Sequence, residues 1–388
     1  MATMEEEEEE VVVLHRDTDL TQFLCDELIM EILIKLPMKV LIISKCVSKR
    51  FQCLISEQTF LSRVVTRNKK LPPLITGFFY NNYNDGKLNF HTDFPNDDTN
   101  ALKCDLSFLR CKSNQHPVNV VASDSGLLLC AREKKGTNCI HYIVCNPFTK
   151  QCLELPQLSW GPSKCAVLFC YDNEEGSNKG REIEFKVLYF RCFGDDLLEI
   201  DIYSSEKGKW EESKIPNLLG FNYRLVRATL FDGSIYLWDY CEYIKKIYAY
   251  DVKKESVRSI PLPPACLFGA SDLLIGVAAG SLYLSYEYYD FSFLVWVLVD
   301  GDRWSLMHRL KHGLIENYPE TLKSPLAFHP LSCDLFLGWS GCAGALLCRM
   351  DSQKVELIAN LYYNLDFKAP KSVIPWYLPA WIPCLKSA

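Results

Sequence analysis

At 388 residues, 48% hydrophobic and 23% charged, the chain carries enough apolar material for a large core, which excludes a collagen-like or wholly disordered polymer. The formal net charge is −6, and the run Glu5–Glu10 accounts for all of it, so the remainder is neutral overall and a phosphate-driven nucleic-acid binder is not expected. No stretch reaches the roughly 18–20 uncharged apolar residues of a membrane span, and the longest candidate, Leu273–Tyr286, is interrupted by two Gly and two Ser.

The N-terminus opens on acid instead of a basic and then apolar leader, so an intracellular protein, in cytoplasm or nucleus, is expected. Its 18 cysteines then read as reduced, mostly buried small hydrophobes. No C-x-x-C occurs, and Cys139/Cys145, Cys165/Cys170 and Cys342/Cys348 lack the tight pairing of structural zinc; neither a metal nor another cofactor is expected.

In chain order, residues 1–19 read as a tail whose like charges repel. Residues 20–63 have a helical texture. Leu28, Ile29, Ile32, Leu33 and Leu36 recur at helical spacing, with Asp26 placed to cap the helix, Glu27 in its first turn and Pro37 as its stop. Val40–Ile43 form a second apolar stretch, and Val47, Phe51, Leu54 and Ile55 a third face, with one more turn suggested by Ser56, Glu57 and Phe60. So short a unit has a marginal core, which a partner or neighbouring domain is expected to complete.

Residues 64–73 read as a linker broken by Leu71-Pro72-Pro73, and 74–388 as β structure. Short Val-, Ile-, Leu-, Tyr- and Phe-rich runs alternate there with Gly, Asp, Asn and Ser clusters. A run ending in Asn or Asp recurs at Asn146, Asp201, Asp251, Asp300 and Asp351, with a weaker first copy at Asp93. A second mark, Gly126, Gly233 and Gly280 each followed by an apolar run, keeps phase with it. A repeat near 50 residues with about four short strands per unit is the pattern of propeller blades, and six marks imply about six blades. The Asp and Asn marks are expected to serve turns. The C-terminal Pro370–Pro383, with Trp376, Tyr377 and Trp381, is expected to close the propeller against its first blade, because exposed paired Trp are costly in water.

The segment Leu24-Cys-Asp-Glu-Leu-Ile-Met-Glu-Ile-Leu-Ile-Lys-Leu-Pro-Met-Lys-Val-Leu41, followed by Lys45-Cys-Val-Ser-Lys-Arg-Phe51 and Leu54-Ile-Ser56, resembles a plant F-box. It departs from the usual pattern at Cys25, where Pro is common, and at Phe51, where Trp is common. Gly126-Leu-Leu-Leu-Cys130, Val144-Cys-Asn-Pro-Phe-Thr-Lys150, Leu153-Glu-Leu-Pro156 and Ile202–Trp210 are similar to the F-box-associated domain of the same family. The expected fold class is therefore α+β, a small all-α F-box followed by a large all-β propeller of about six blades.

The resemblance implies a non-catalytic substrate receptor of a Skp–cullin–F-box ubiquitin ligase. Its F-box would dock on the Skp adaptor, and through it on the cullin and RING subunits, while the propeller holds the target protein. Leu24, Leu28, Ile32, Leu33, Leu36, Pro37, Val40, Leu41, Cys46 and Val47 are the candidate adaptor-binding residues. An even split is expected between that face and the unit's own core. Lys39 and Lys45, with Lys49, could rim the face or simply be solvated. For the target, Tyr286, Tyr288, Tyr289 and Phe291 form a candidate aromatic anchor or, equally, strand residues packed between blades.

Catalytic motifs fail on inspection. Gly338-Trp-Ser-Gly misses the second Gly position of a nucleophile elbow, and Gly176–Gly180 is too short for a phosphate loop. His308 and His312 lack the Glu of a zinc-protease helix and read as strand and turn residues. Asp290, Asp300 and Asp302 read as turn carboxylates. The alternative function is a propeller enzyme, or a carbohydrate- or ligand-binding propeller, with a structural helical prefix.

Overall fold

The computed structural model describes residues 24–60 apart from 37 and 58, then 63, 64 and 67. It further describes 75–81, 88–92, 106–109, 118–133, 140–158 apart from 148, 165–171, 183–191, 197–216, 226–239, 246–263, 273–288, 292–310, 322–340, 344–350, 354–359 and 373–378. The chain divides into two compact units, Met1–Lys70 and Leu71–Ala388.

The first unit contains α1 (Asp26–Lys35), α2 (Met38–Ser44) and α3 (Lys49–Ser56). Ile29, Leu33, Leu41, Leu54 and Ile55 are its buried residues, with Phe60 and Val64 beyond α3. Arg67 still donates to the Ile34 carbonyl, so helical packing continues at that residue.

The second unit is a β-propeller built of antiparallel sheets. Sheet 1 is β3 (Val118–Asp124), β4 (Leu127–Glu133), β5 (Ile140–Asn146) and β6 (Gln151–Glu154). Sheet 2 is β7 (Ala166–Tyr171), β8 (Glu184–Arg191), β9 (Leu197–Ser204) and β10 (Lys209–Pro216). Sheet 3 is β11 (Val226–Phe231), β12 (Ser234–Asp239), β13 (Lys246–Asp251) and β14 (Ser256–Pro261). Sheet 4 is β15 (Leu274–Ala278), β16 (Ser281–Glu287), β17 (Phe293–Val299) and β18 (Arg303–Leu310). Sheet 5 is β19 (Leu322–Phe328), β20 (Leu335–Ser340), β21 (Gly344–Arg349) and β22 (Lys354–Ala359). The last sheet joins both ends of the unit, in the order β2 (Leu88–Thr92), β1 (Ile75–Asn81), β23 (Val373–Leu378). There Gly77 stands opposite Trp376, and Phe79 opposite Ile374, so the C-terminal strand pairs with the first strand of the unit.

One edge strand of each sheet packs on that of the next: β3 on β7, β7 on β11, β11 on β15, β15 on β19, β19 on β23, and β23 back on β3. Between neighbouring sheets lie apolar clusters fed alternately by the two faces of each strand. In β8, Phe185, Val187 and Tyr189 pack toward sheet 1, whereas Leu188 and Phe190 pack toward sheet 3. Burial on both faces explains why these strands read as continuous apolar runs instead of alternating ones.

The two sequence marks have distinct structural roles. Ser125-Gly126, Asp232-Gly233 and Ala279-Gly280 are two-residue turns between first and second strands, with φ of 47 and 82°, 46 and 69°, and 44 and 73°. Two successive positive φ values match the strand twist, and glycine adopts the second at no steric cost. Asn146 and Asp251 end third strands and do serve turns. Asn146 Oδ1 accepts from the Thr149 N–H at 3.1 Å, and Asp251 Oδ1 from the Lys253 and Lys254 N–H groups at 3.0 and 2.9 Å. Asp300 sits in a turn at φ 51° and pairs with Arg303.

Asp201 departs from the pattern. It lies inside β9, because that strand continues to Ser204, whose carbonyl accepts from Gly208 as the Asn146 carbonyl accepts from Lys150. Asp201 is instead buried against Arg191, with Nη2 2.5 Å from Oδ1. Asp93 and Asp351 lie outside the described residues.

Candidate functional site

Each helix of the first unit has one stripe turned inward and one turned out. In α1, Ile29 and Leu33, four apart, are both 2% exposed, while Leu28 and Ile32, also four apart, are 53% and 52% exposed. In α2, Leu41 is buried, and Val40 and Ile43 are 42% and 57% exposed. Ser44, also buried, returns its hydroxyl to the Val40 carbonyl at 2.8 Å. The turn after α2 is closed by Cys46 N–H to Ile43 O and Val47 N–H to Ser44 O, and it presents Val47, 68% exposed, beside an exposed Cys46.

Local chemistry fixes this arrangement. Ser48 caps α3, accepting from the Phe51 N–H at 3.1 Å. Arg50 reaches from α3 to Asp26 Oδ1 (2.8 Å from Nε) and to the Leu24 carbonyl (2.7 Å from Nη2). Asp26 is thus not the cap expected from sequence: Cys25 occupies that position without a capping side chain, and the Asp26 carboxylate serves Arg50. Glu31 pairs with Arg63, whose hydrogen bond and charge hold the carboxyl below its ordinary range.

Of the candidate adaptor-binding residues, Leu28, Ile32, Val40, Cys46 and Val47 are exposed, Leu33 and Leu41 are buried in the unit's own core, and Leu24, Leu36 and Lys45 are half-buried. Leu33 and Leu41 therefore cannot touch a partner in this arrangement. Lys39 lies in α2 and Pro37 lies outside the described residues. Sequence reasoning left out Ile43, although its spacing of three from Val40 and four from Val47 carried the signal.

Of the two readings of the aromatic set, Tyr286 follows packing between blades and is no anchor. Tyr286 is 1% exposed and packs with Trp238, Leu284 and Leu294 between sheets 3 and 4, because both faces of β16 are covered by neighbouring sheets. Tyr288 is half-buried. Its N–H donates to the Ser292 carbonyl at 2.8 Å, and the Arg309 guanidinium lies 6.0 Å from its ring. Tyr289 and Phe291 lie outside the described residues.

Among the described residues, no group of three or more His, Cys, Asp or Glu side chains could hold a metal, and no helix is long and apolar enough to cross a membrane. His308 lies on β18, with Nε2 3.3 Å from Asp334 Oδ1, and His312 lies outside the described residues.

A helical prefix with an exposed apolar stripe ahead of a β-propeller defines the class. The chain belongs to the F-box protein At3g26010-like β-propeller family, whose profile matches residues 87–372. It is 26% identical over 254 residues to F-box protein At5g07610 of Arabidopsis thaliana, a match covering 61% of this chain and 56% of that one. It is 27% identical over 299 residues to F-box protein At5g65850 of the same plant, covering 72% and 69%. The chain thus spans little more than half the length of the first relative. Among solved structures, a chain of the nidogen/laminin complex is similar at a TM-score of 0.43 and 10% identity, covering 78% of this chain and 98% of that one.

Proposed function

We propose that the chain is the substrate-recognition subunit of a Skp–cullin–F-box ubiquitin ligase, without chemistry of its own. Residues 20–63 act as the F-box, with Val64 and Arg67 at the start of the 64–73 linker still packed on it, and 74–388 as a receptor whose six sheets are six blades. The observation that carries this reading is the exposed apolar set Leu28, Ile32, Val40, Ile43 and Val47 on a unit of three short helices. Such side chains gain roughly 25 cal/mol per Å² when covered, and an adaptor's apolar surface covers them. Lys45 and Lys49 then stand at the rim, where charge governs encounter more than affinity. Membership of an F-box protein family supports the same assignment.

The target is assigned to the connections between the propeller's strands. Longer connections on a rigid scaffold are where recognition residues accumulate.

The test is co-expression of the full chain with a plant Skp adaptor, wild type beside Leu28→Asp/Ile32→Asp. A one-to-one complex with wild type and none with the variant, both melting at the same temperature, supports the assignment. A folded wild type that binds no Skp adaptor, or a variant that binds as well, overturns it.

A further inference from the structure

Three cysteines lie in a row across sheet 1, on β4, β5 and β6. Cys145, fully buried, stands directly opposite the exposed Cys152 in the β5–β6 ladder, and its sulfur lies 3.8 Å from that of Cys130. Ladder phase distinguishes the two pairings. The Leu155 N–H donates to the Tyr142 carbonyl at 2.9 Å, so Tyr142 and Leu155 form a hydrogen-bonded pair. Hydrogen-bonded and non-hydrogen-bonded pairs alternate along an antiparallel ladder. Counting from that pair, Val144–Leu153 is hydrogen-bonded and Cys145–Cys152 is not.

Residues of a non-hydrogen-bonded pair have Cα atoms about 4.5 Å apart, within the roughly 4.4–6.8 Å that a disulfide spans. Cys130 pairs with Ile143, and Cys145 with Leu128, so Cys130 and Cys145 are diagonal neighbours. Diagonal residues stand about 7–8 Å apart, beyond the reach of a disulfide without backbone movement.

We propose that Cys145 and Cys152 are a redox-active pair that closes to a cross-strand disulfide when the protein meets a peroxide-class oxidant. The exposed Cys152 is the entry point. Its thiolate attacks one peroxide oxygen, the O–O bond breaks, and Cys152 becomes a sulfenic acid as hydroxide leaves and is protonated to water. The Cys145 sulfur then displaces the sulfenic hydroxyl, which departs with the Cys145 proton as a second water, and the S–S bond forms. Two thiols are oxidised by two electrons, and one hydrogen peroxide is reduced to two waters. The hydrogen bond with Cys130 and burial push the Cys145 thiol well above its ordinary value, so the first attack on peroxide falls to Cys152. Strand β6 leads straight to Pro156, whose carbonyl accepts from Trp210 of sheet 2, so the bond would tie down the segment that joins the two sheets.

The experiment treats the full chain with hydrogen peroxide and maps peptides under non-reducing conditions. A Cys145–Cys152 linkage is expected, reversed by dithiothreitol, abolished in Cys152→Ser and retained in Cys130→Ser. Three results would overturn the proposal: a Cys130–Cys145 linkage, Cys152 carried to sulfinic acid without any linkage, or Cys145 and Cys152 still reduced under conditions that oxidise free cysteine. Cys152 is exposed, so its serine variant is expected to keep the wild-type melting temperature.

Discussion

The two units handle apolar surface in opposite ways. Between Leu28 and Val47 the helical unit exposes five large apolar side chains, whereas the described residues of the propeller unit expose four, Val299, Leu306, Met307 and Leu331, over a far longer chain. The propeller's sheets bury both faces because each lies between two neighbours. A helix of seven to ten residues with two neighbours has an inside for only one stripe. Apolar side chains therefore make a self-sufficient core in one unit and a surface that calls for a partner in the other.

The sharpest way to break this contrast is to place a charge on each of two adjacent α1 residues. Leu33→Asp buries an unpaired carboxylate in the helical core, at a cost on the order of 4 kcal/mol. Amide exchange over residues 26–56 should become unprotected in the full chain. Ile32→Asp, on the exposed stripe, should leave that protection within about 0.5 kcal/mol of wild type while eliminating adaptor binding. Equal loss of protection in both variants would mean that the exposed stripe is part of the core.

In the propeller, the corresponding strain is a half-buried carboxylate. Asp124 Oδ2 accepts from the Cys170 N–H at 2.6 Å, joining sheet 1 to sheet 2, and burial pushes its carboxyl from the ordinary 3.8 up to about 6. Between these values the folded state holds the proton and the unfolded state has released it. Stability from this group is thus fully present below about pH 4, falls as pH rises to about 6, and is then level. The ionised form costs about 3 kcal/mol at neutral pH, at 1.36 kcal/mol per pKa unit. Asp124→Asn should raise stability by 1–3 kcal/mol at pH 7.5, with the gain vanishing near pH 4, as followed by chemical denaturation across that range. A gain independent of pH would remove ionisation as the cause.

How much of this was legible depended on whether local pattern or tertiary contact decided the matter. The turn glycines Gly126, Gly233 and Gly280 showed in the sequence because a two-residue turn imposes its own residue type. Helical spacing in α1 showed two stripes, Leu28/Ile32 and Ile29/Leu33, but not which one faces inward, since periodicity is blind to the neighbours of a helix. Asp201 misled because β9 runs three residues past it before turning. Tyr286 stayed open between anchor and core because a strand covered on both faces gives its aromatic residues no mark that separates core from surface.

A smaller effect probes how neighbouring sheets are joined. Trp210 Nε1 donates to the Pro156 carbonyl at 2.7 Å, and Trp304 Nε1 to the Pro261 carbonyl at 2.9 Å, each tying an outer strand to the end of the preceding sheet. Replacing either Trp by Phe keeps an aromatic ring and deletes the donor, which should cost about 1 kcal/mol in thermal or denaturant unfolding. No change in either variant would place the holding energy in the apolar clusters alone.

The finest test returns to the helical unit, where α1 and α3 begin differently. Ser48, at φ −152° and ψ 156°, caps α3 through its hydroxyl, whereas Cys25 has extended geometry at φ −68° and ψ 159° but no capping bond. An eight-residue helix has little hydrogen-bonded interior, so a satisfied N–H in its first turn matters to whether Leu54, Ile55 and Arg50 hold their places. Ser48→Ala should reduce amide protection over residues 49–56 by about 0.5–1 kcal/mol, and Ser48→Asp should preserve it. Cys25→Ser, adding the missing acceptor, should raise protection over residues 26–35 by a few tenths of a kcal/mol, less than the usual capping value because Arg50 already draws Leu24 and Asp26 into place. If Ser48→Ala were silent, packing of Leu54 and Ile55 alone would be holding α3, and the unit would resemble the propeller more closely than its exposed stripe implies.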